Sequence, residues 1–348
     1  MKRLLFTFFL LSGFLMMIGC GGGGDIFSSG EPLNMYGYTF STFSTINAAA
    51  TTSADVRAIL ITTEAGGAFA GTADGLYAFD TSVVTPVFTK VATAALNGLA
   101  VNCLARESTE NMLIGTDRGL FRRDLYYGIT SEVTSLSLKN IRTIAVQSSG
   151  TVWLGLTDPT ASTTSLARLK DGVLTTWGKD HGMTASSVVN IWAETDGKVY
   201  VCGTGDVGKG GVFEFNEALN TFRPMNYVPL ASGATLFFKA GASWFAGGPA
   251  SGMYVSTDSG SNWTKVAIGD VTPTGYALDS MSSFTRYWVS TDKGVFLSYD
   301  LLTWTGFSKT NRLNQENCAT IQDREGSIWL GHSFAAGGGV TRGVFAGD

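Results

Sequence analysis

From Val56 onward the chain alternates runs of about four to seven β-favouring residues with clusters of Gly, Asp, Asn and Ser, and no stretch holds a helical period of useful length. The runs recur as a unit. Its clearest copy is Ile114-Gly115-Thr116-Asp117-Arg118-Gly119-Leu120-Phe121, and the position of Gly115 returns as Gly71, Gly155, Gly203, Gly247, Ser290 and Gly331. Successive steps of 44, 40, 48, 44, 43 and 41 residues give seven copies of a unit that stacks on its neighbours. In the third copy, Ile141 to Val146, Thr151 to Gly155, Leu166 to Leu169 and Val173 to Trp177 read as four strands; in the second, the outer strand falls in the weaker stretch Thr130 to Leu138.

Seven units of four short antiparallel strands predict an all-β chain, a seven-bladed β-propeller of four-stranded antiparallel blades. The seventh unit has only three strands before Asp348. The segment Met35 to Phe43, with aromatics at Tyr36, Tyr38 and Phe40, has the two-residue period of a strand. It is expected to supply the missing outer strand and close the ring, which removes two free sheet edges.

The N-terminus reads differently. Met1-Lys2-Arg3 is a basic start, Leu4 to Ile18 an apolar run of signal-peptide length, and Gly19-Cys20 ends it as a lipobox would. The expected division is a lipoprotein signal peptide over 1–19, a lipid-anchored Gly-rich tether over 20–34 with the acyl chains on Cys20, and the propeller over 35–348. Residue 21 is not Asp, so the sorting pattern predicts a bacterial outer-membrane lipoprotein, periplasmic or surface-exposed.

The whole chain has 24 basic and 28 acidic side chains, and removing Lys2 and Arg3 leaves 22 against 28, a formal charge of −6. With no basic pole, nucleic acid is not an expected partner. Beyond Cys20, Cys103, Cys202 and Cys318 read as small buried residues, and their spacing asks for no disulfide.

Two resemblances follow from quoted stretches. Asp180-His181-Gly182-Met183 through Ile191 with Asp196-Gly197, and Cys318 through Gly331 with Glu325-Gly326, resemble the two-component-regulator type of propeller repeat. That resemblance implies an extracytoplasmic ligand-sensing propeller. No membrane span or signalling domain follows it in this sequence, so the expectation is a stand-alone binding lipoprotein. Ser256-Thr257-Asp258-Ser259-Gly260-Ser261-Asn262-Trp263 resembles the Asp-box (BNR) hairpin, with Ser298-Tyr299-Asp300 and Thr303-Trp304 as a degraded copy. It implies a structural turn between third and fourth strands, held by Ser256, Asp258, Gly260 and Trp263.

In a propeller the second-to-third turns and the blade-to-blade links share one face. The long loops Thr157 to Ser165, Gly205 to Gly211, Gly248 to Gly252 and His332 to Gly339 point to that face as the place of recognition. Lys179, Asp180, His181, Asp206, Lys209, Arg312 and His332 are assigned to it as a candidate binding face, with both histidines expected in loops. No metal-ligand spacing, nucleophile elbow or phosphate cradle is present, so no catalytic residue, metal or cofactor is assigned. Trp153, Trp244, Trp288 and Trp329 read as inter-blade core. The expected activity is binding of an envelope protein or polysaccharide. The rivals are a lyase or glycosidase using His181 and His332 as acid and base, and an assembly factor for an envelope complex.

Overall fold

The computed structural model describes residues 38–43, 55–62, 67–157, 165–205, 209–225, 230, 233–279, 285–310, 313, 315–324, 326–333 and 338–345. Its strands form seven four-stranded antiparallel sheets arranged as a seven-bladed β-propeller. Blade 1 holds Val56–Ile61, Gly67–Thr72, Gly75–Asp80 and Thr89–Lys90. Blades 2 to 6 open with Val101–Arg106, Asn140–Val146, Ser187–Ala193, Leu236–Ala240 and Pro273–Asp279. Blade 7 holds Cys318–Arg324, Ser327–His332 and Gly339–Phe345, and Tyr38–Phe43 is its outer strand, paired antiparallel from Tyr38 opposite Phe345 to Phe43 opposite Val340. The N-terminal strand closes the ring, as its alternating aromatics predict. Tyr38 is fully buried and meets the Trp288 ring of blade 6 edge-on at 4.8 Å, so the closing strand also belongs to the blade 6–blade 7 core.

The recurrent glycine marks the place where one blade admits the next. A Cβ on Gly71 would lie 2.5 Å from Val101 Cγ1, one on Gly155 2.8 Å from Val188 Cγ1, and one on Gly331 2.7 Å from Val56 Cγ1. Carbon atoms do not pack that closely, so the glycine forms a slot and the branched residue opening the next blade is the wedge. Val56, Val101, Ile141 and Val188 are all fully buried in these slots. Gly331 receiving Val56 carries the contact from the last blade to the first.

Blade 4 departs from the sequence reading. Asn190 pairs with Cys202 as Ala58 pairs with Gly71 and Cys103 with Gly115, so the slot position is Cys202 and not Gly203. The larger side chain is matched by a smaller wedge, since the next blade opens through buried Ala234 in the same core cluster. The cysteines are free thiols; Cys202 and Cys318 are buried, while Cys103 is only half-buried. Among the four tryptophans, Trp153, Trp288 and Trp329 are core, but Trp244 is half-buried and lines a cleft between blades 4 and 5 with Met225 and Gly260.

Strand direction sorts the connections. First strands start on one face of the ring, so blade-to-blade links and second-to-third turns lie there, while first-to-second and third-to-fourth turns lie on the opposite face. On the link face, three hairpins repeat one pattern: Thr72, Thr116 and Thr291 donate their hydroxyls to Gly75, Gly119 and Gly294 carbonyls and accept the amides of Asp74, Arg118 and Lys293.

The wedge account predicts reciprocal rescue. Gly71→Ala should cost about 2 kcal/mol through overpacking against Val101, and Val101→Ala a similar amount through the cavity it leaves. The double variant, which copies the Cys202–Ala234 pairing, should recover at least about 1 kcal/mol of the summed loss in a urea double-mutant cycle; strict additivity would count against it.

Candidate binding face at the channel mouth

Neighbouring first strands pack side by side around the central channel. Six of the seven carry a register shift one residue after the wedge, and the extra residue there is Arg57, Asn102, Arg142, Val189, Thr274 or Ala319. A bulge re-aims the residue it inserts and leaves it out of the ladder. On three successive blades that residue is polar. Arg57 donates from Nε to Asp55 at 2.9 Å and from Nη1 to Asn102 Oδ1 at 2.8 Å, and Asn102 Nδ2 donates to Asn140 Oδ1 at 3.0 Å and the Ile141 carbonyl at 3.1 Å. Asn102 thereby bridges blades 2 and 3. The next side chain in the series, Arg142, is exposed and makes no hydrogen bond or ion pair to a described residue.

The links beside this mouth are pinned by carboxylates. Asp117 accepts the Ala100 amide at 3.0 Å and Asp292 the Thr272 amide at 2.7 Å. These acids are committed to backbone donors, and Arg142 has no acid partner among the described residues.

The residues assigned from sequence divide into three groups. Lys179, Asp180 and His181 form one 3-10 turn in the link from blade 3 to blade 4, ended by Gly182 at φ +83°, a left-handed conformation that favours glycine. His181 is partly exposed, and its Nδ1 is shielded from solvent with no partner. Lys209 lies beside this link, its carbonyl accepting the Thr184 hydroxyl at 2.9 Å. Lys179, Asp180, His181 and Lys209 therefore share one side of the link face. Asp206 and Arg312 lie outside the described residues, as does Cys20.

His332 corrects the sequence reading. It is the last residue of a second strand and is 0% exposed, at the position that Thr72, Thr116 and Thr291 occupy in other blades. Its Nδ1 lies 3.1 Å from the Glu316 carbonyl, which can only accept, so Nδ1 holds the proton. Nε2 then accepts the Thr341 hydroxyl at 2.7 Å, and Thr341 in turn accepts the Thr42 hydroxyl at 2.8 Å. The imidazole is a buried fastener joining the second, third and outer strands of blade 7. Burial pushes its pKa down to about 4, against the pull of the Glu316 carbonyl. With both nitrogens used internally, His332 is no surface acid or base, and the proposed pair with His181 is not assembled.

On the opposite face, Ser256 to Trp263 forms a tight turn between third and fourth strands. Asp258 Oδ1 accepts the Asn262 amide at 2.8 Å, Ser256 Oγ accepts the Gly260 amide at 2.8 Å, and Trp263 Nε1 donates to the Gly260 carbonyl at 3.0 Å. The backbone and side-chain amides of Asn262 hold the Asp258 pKa down to about 2. Asp300 repeats the arrangement on the Leu302 and Thr303 amides, with Leu301 at φ +64° where the other turn has Gly260. Both carboxylates are structural.

The Arg57–Asn102–Arg142 series was missed in the sequence. Its signal was present: a polar residue directly after a buried branched residue at the start of three consecutive first strands, Val56-Arg57, Val101-Asn102 and Ile141-Arg142.

No protein-family model matches the chain, and no curated protein matches it. Solved structures do. The extracellular domain of BT4673 from B. thetaiotaomicron, named both as a one-component and as a hybrid two-component system, superposes with a TM-score of 0.68 at 18% identity over 87% of this chain and 39% of that one. Virginiamycin B lyase from Staphylococcus aureus gives 0.62 at 12% identity over 88% and 98%. PorZ, a surface component of the type-IX secretion system of Porphyromonas gingivalis, gives 0.59 at 15% identity over 83% and 46%. The chain thus spans about two fifths of the BT4673 domain. At these identities the likeness is one of fold.

The fastener makes stability depend on pH. His332 titrates near 6.5 when unfolded and near 4 when folded, so the unfolded chain takes up the proton first. Its contribution is complete above pH 6.5 and falls away as the pH drops to 4, by about 3 kcal/mol in total. His332→Thr should abolish that part of the acid-side slope in urea unfolding measured from pH 7 to 4. An unchanged slope would place the titration elsewhere.

Proposed function

We propose that the chain is an envelope-anchored propeller lipoprotein, held to the outer membrane by acyl chains on Cys20, that binds an acidic group of an envelope protein or polysaccharide through its link face. The observation that carries this reading is Arg142, an exposed guanidinium with no partner among the described residues, at the rim of the channel beside a fixed polar series. Arg presents a planar fork of donors suited to carboxylate, and it loses little water on binding compared with an ammonium. The turn of Lys179, Asp180 and His181 and the neighbouring Lys209 extend the surface outward, with loop residues Asp206 and Arg312 assigned to the same face. The likeness to extracellular sensor domains supports binding and an envelope location. A bulged, rigid first strand fits recognition better than turnover, because it presents one charge and no assembled acid–base pair.

Cross-linking capture from intact envelopes and retention on purified cell-surface polysaccharide would be run with the parent protein and Arg142→Glu. The variant should keep its melting temperature, because the side chain has no partner to lose, and its recovery of the bound species should fall about tenfold or more, the scale of a lost charge-assisted contact. Undiminished recovery by the variant would remove the channel mouth as the site. Which of the two assays responds identifies the partner as protein or glycan.

A further inference from the structure

Large apolar side chains are unevenly placed on the surface. Among the described residues, nine are between 64% and 84% exposed, and eight of them lie at third-to-fourth-strand turns. Five blades contribute, through Val84, Tyr126, Val173, Leu219 and Leu302 at the tips or edges of those turns. The ninth, Leu138, sits in a blade-to-blade link on the other face. These turns are held from beneath. Asp80 caps the Ser82 amide at 2.8 Å, Asp124 those of Tyr126 and Tyr127 at 2.8 and 2.6 Å, Asn216 that of Leu219 at 3.1 Å, and Asp300 that of Leu302 at 2.8 Å. The polar residue is spent on the backbone while the apolar tip stays in water.

The closing strand enters from the same face. Tyr38 pairs with Phe345, the far end of a third strand that begins at the link face, so Tyr38, the first residue of the closing strand, lies on the side of the apolar turns. Cys20 lies 18 residues before Tyr38, at most about 65 Å of fully extended chain.

We infer that this apolar rim rests on the lipid bilayer, so that the propeller stands on its third-to-fourth-strand turns and holds the channel mouth of Arg142 away from the membrane. The inference rests on the proposed acylation of Cys20 for its anchor. A bilayer is the occupant that fits, because the exposed side chains, Tyr, Val and Leu among them, lie at the third-to-fourth-strand turns of five different blades and not in one patch on a single blade. A fluid apolar boundary accepts such a set, which gains by shallow burial at the headgroup edge. A folded protein partner would select one contiguous patch.

The test uses the full chain purified after its natural processing and inserted in phosphatidylethanolamine–phosphatidylglycerol vesicles containing a spin-labelled phospholipid. A thiol-reactive fluorophore is placed at Leu302→Cys, at Tyr126→Cys or, on the link face, at Arg118→Cys, with the parent chain giving the background from native cysteines. Probes at Leu302 and Tyr126 should lose most of their emission while the probe at Arg118 keeps it. Quenching at Arg118, or no quenching at either rim site, would overturn the orientation. Mass spectrometry of the same sample reads Cys20 separately. Unacylated protein whose rim probes are quenched on added vesicles would lose the anchor and keep the docking face; acylated protein with unquenched rim probes would keep the anchor and lose the face.

Discussion

The slot between a side-chain-free position in one blade and a buried branched residue in the next is the contact on which the molecule depends. A glycine receives a branched wedge at Gly71–Val101, Gly115–Ile141, Gly155–Val188 and Gly331–Val56, Gly247 receives Pro273, and blade 6 has buried Ser290 at the slot; together these contacts turn a row of small sheets into a ring. Each blade is too small to bury both faces alone, so stability is shared through these contacts. The pairing of Cys202 with Ala234 shows that the constraint is on the summed volume at the contact, since a larger slot residue is accepted where the wedge shrinks. The closing strand completes the arrangement by adding Tyr38 to the core between blades 6 and 7.

The same geometry separates two faces with different chemistry. On one, six of the seven wedges are followed by a bulged residue at the channel rim, and two of the links are fixed by Asp117 and Asp292 on backbone amides. Arg142 is displayed beside them with no partner among the described residues. On the other, Asx-capped turns expose apolar tips. A ring built this way has directionality: a polar mouth, proposed for capture, and, on our inference, an apolar rim for support, with Tyr38, the start of the closing strand, on the rim side.

Much of the fold was legible in the sequence because it depends on period. Seven returns of one unit, a seventh copy short by a strand, and aromatics two apart at Tyr36, Tyr38 and Phe40 were enough to place the ring and its closure. What failed depended on single residues. Gly203 next to Cys202 looked like the marker because glycine is the usual occupant, but only the pairing register reveals which of two neighbours faces the next blade. His332 after Gly331 read as the start of a loop, yet it stands where other blades place a threonine, and its ring reaches across to Glu316 and Thr341 instead of into water. Trp244 lies three residues before its slot glycine, where Trp153, Trp288 and Trp329 lie two before theirs, so strand alternation turns it toward the cleft at Gly260 and Phe245 takes the buried place. Of the residues assigned to the candidate face, Lys179, Asp180 and His181 share one turn and the Lys209 carbonyl meets the same link at Thr184. The bulges that display Arg57, Asn102 and Arg142 left only a polar residue after each buried branched one as their sign in the sequence, since the bulge itself is a property of strand pairing.

The claim that the ring is closed by its first strand is tested most directly by native-state hydrogen exchange. If Tyr38–Phe43 is the outer strand of a blade locked by the Thr42–Thr341–His332 relay and by the Gly331–Val56 slot, its amides that bond to the third strand should exchange with those of Gly339–Phe345, in the same slow cooperative class as blade 1. Rapid exchange across Tyr38–Phe43 while the other six blades stay protected would contradict closure and leave the chain an open array.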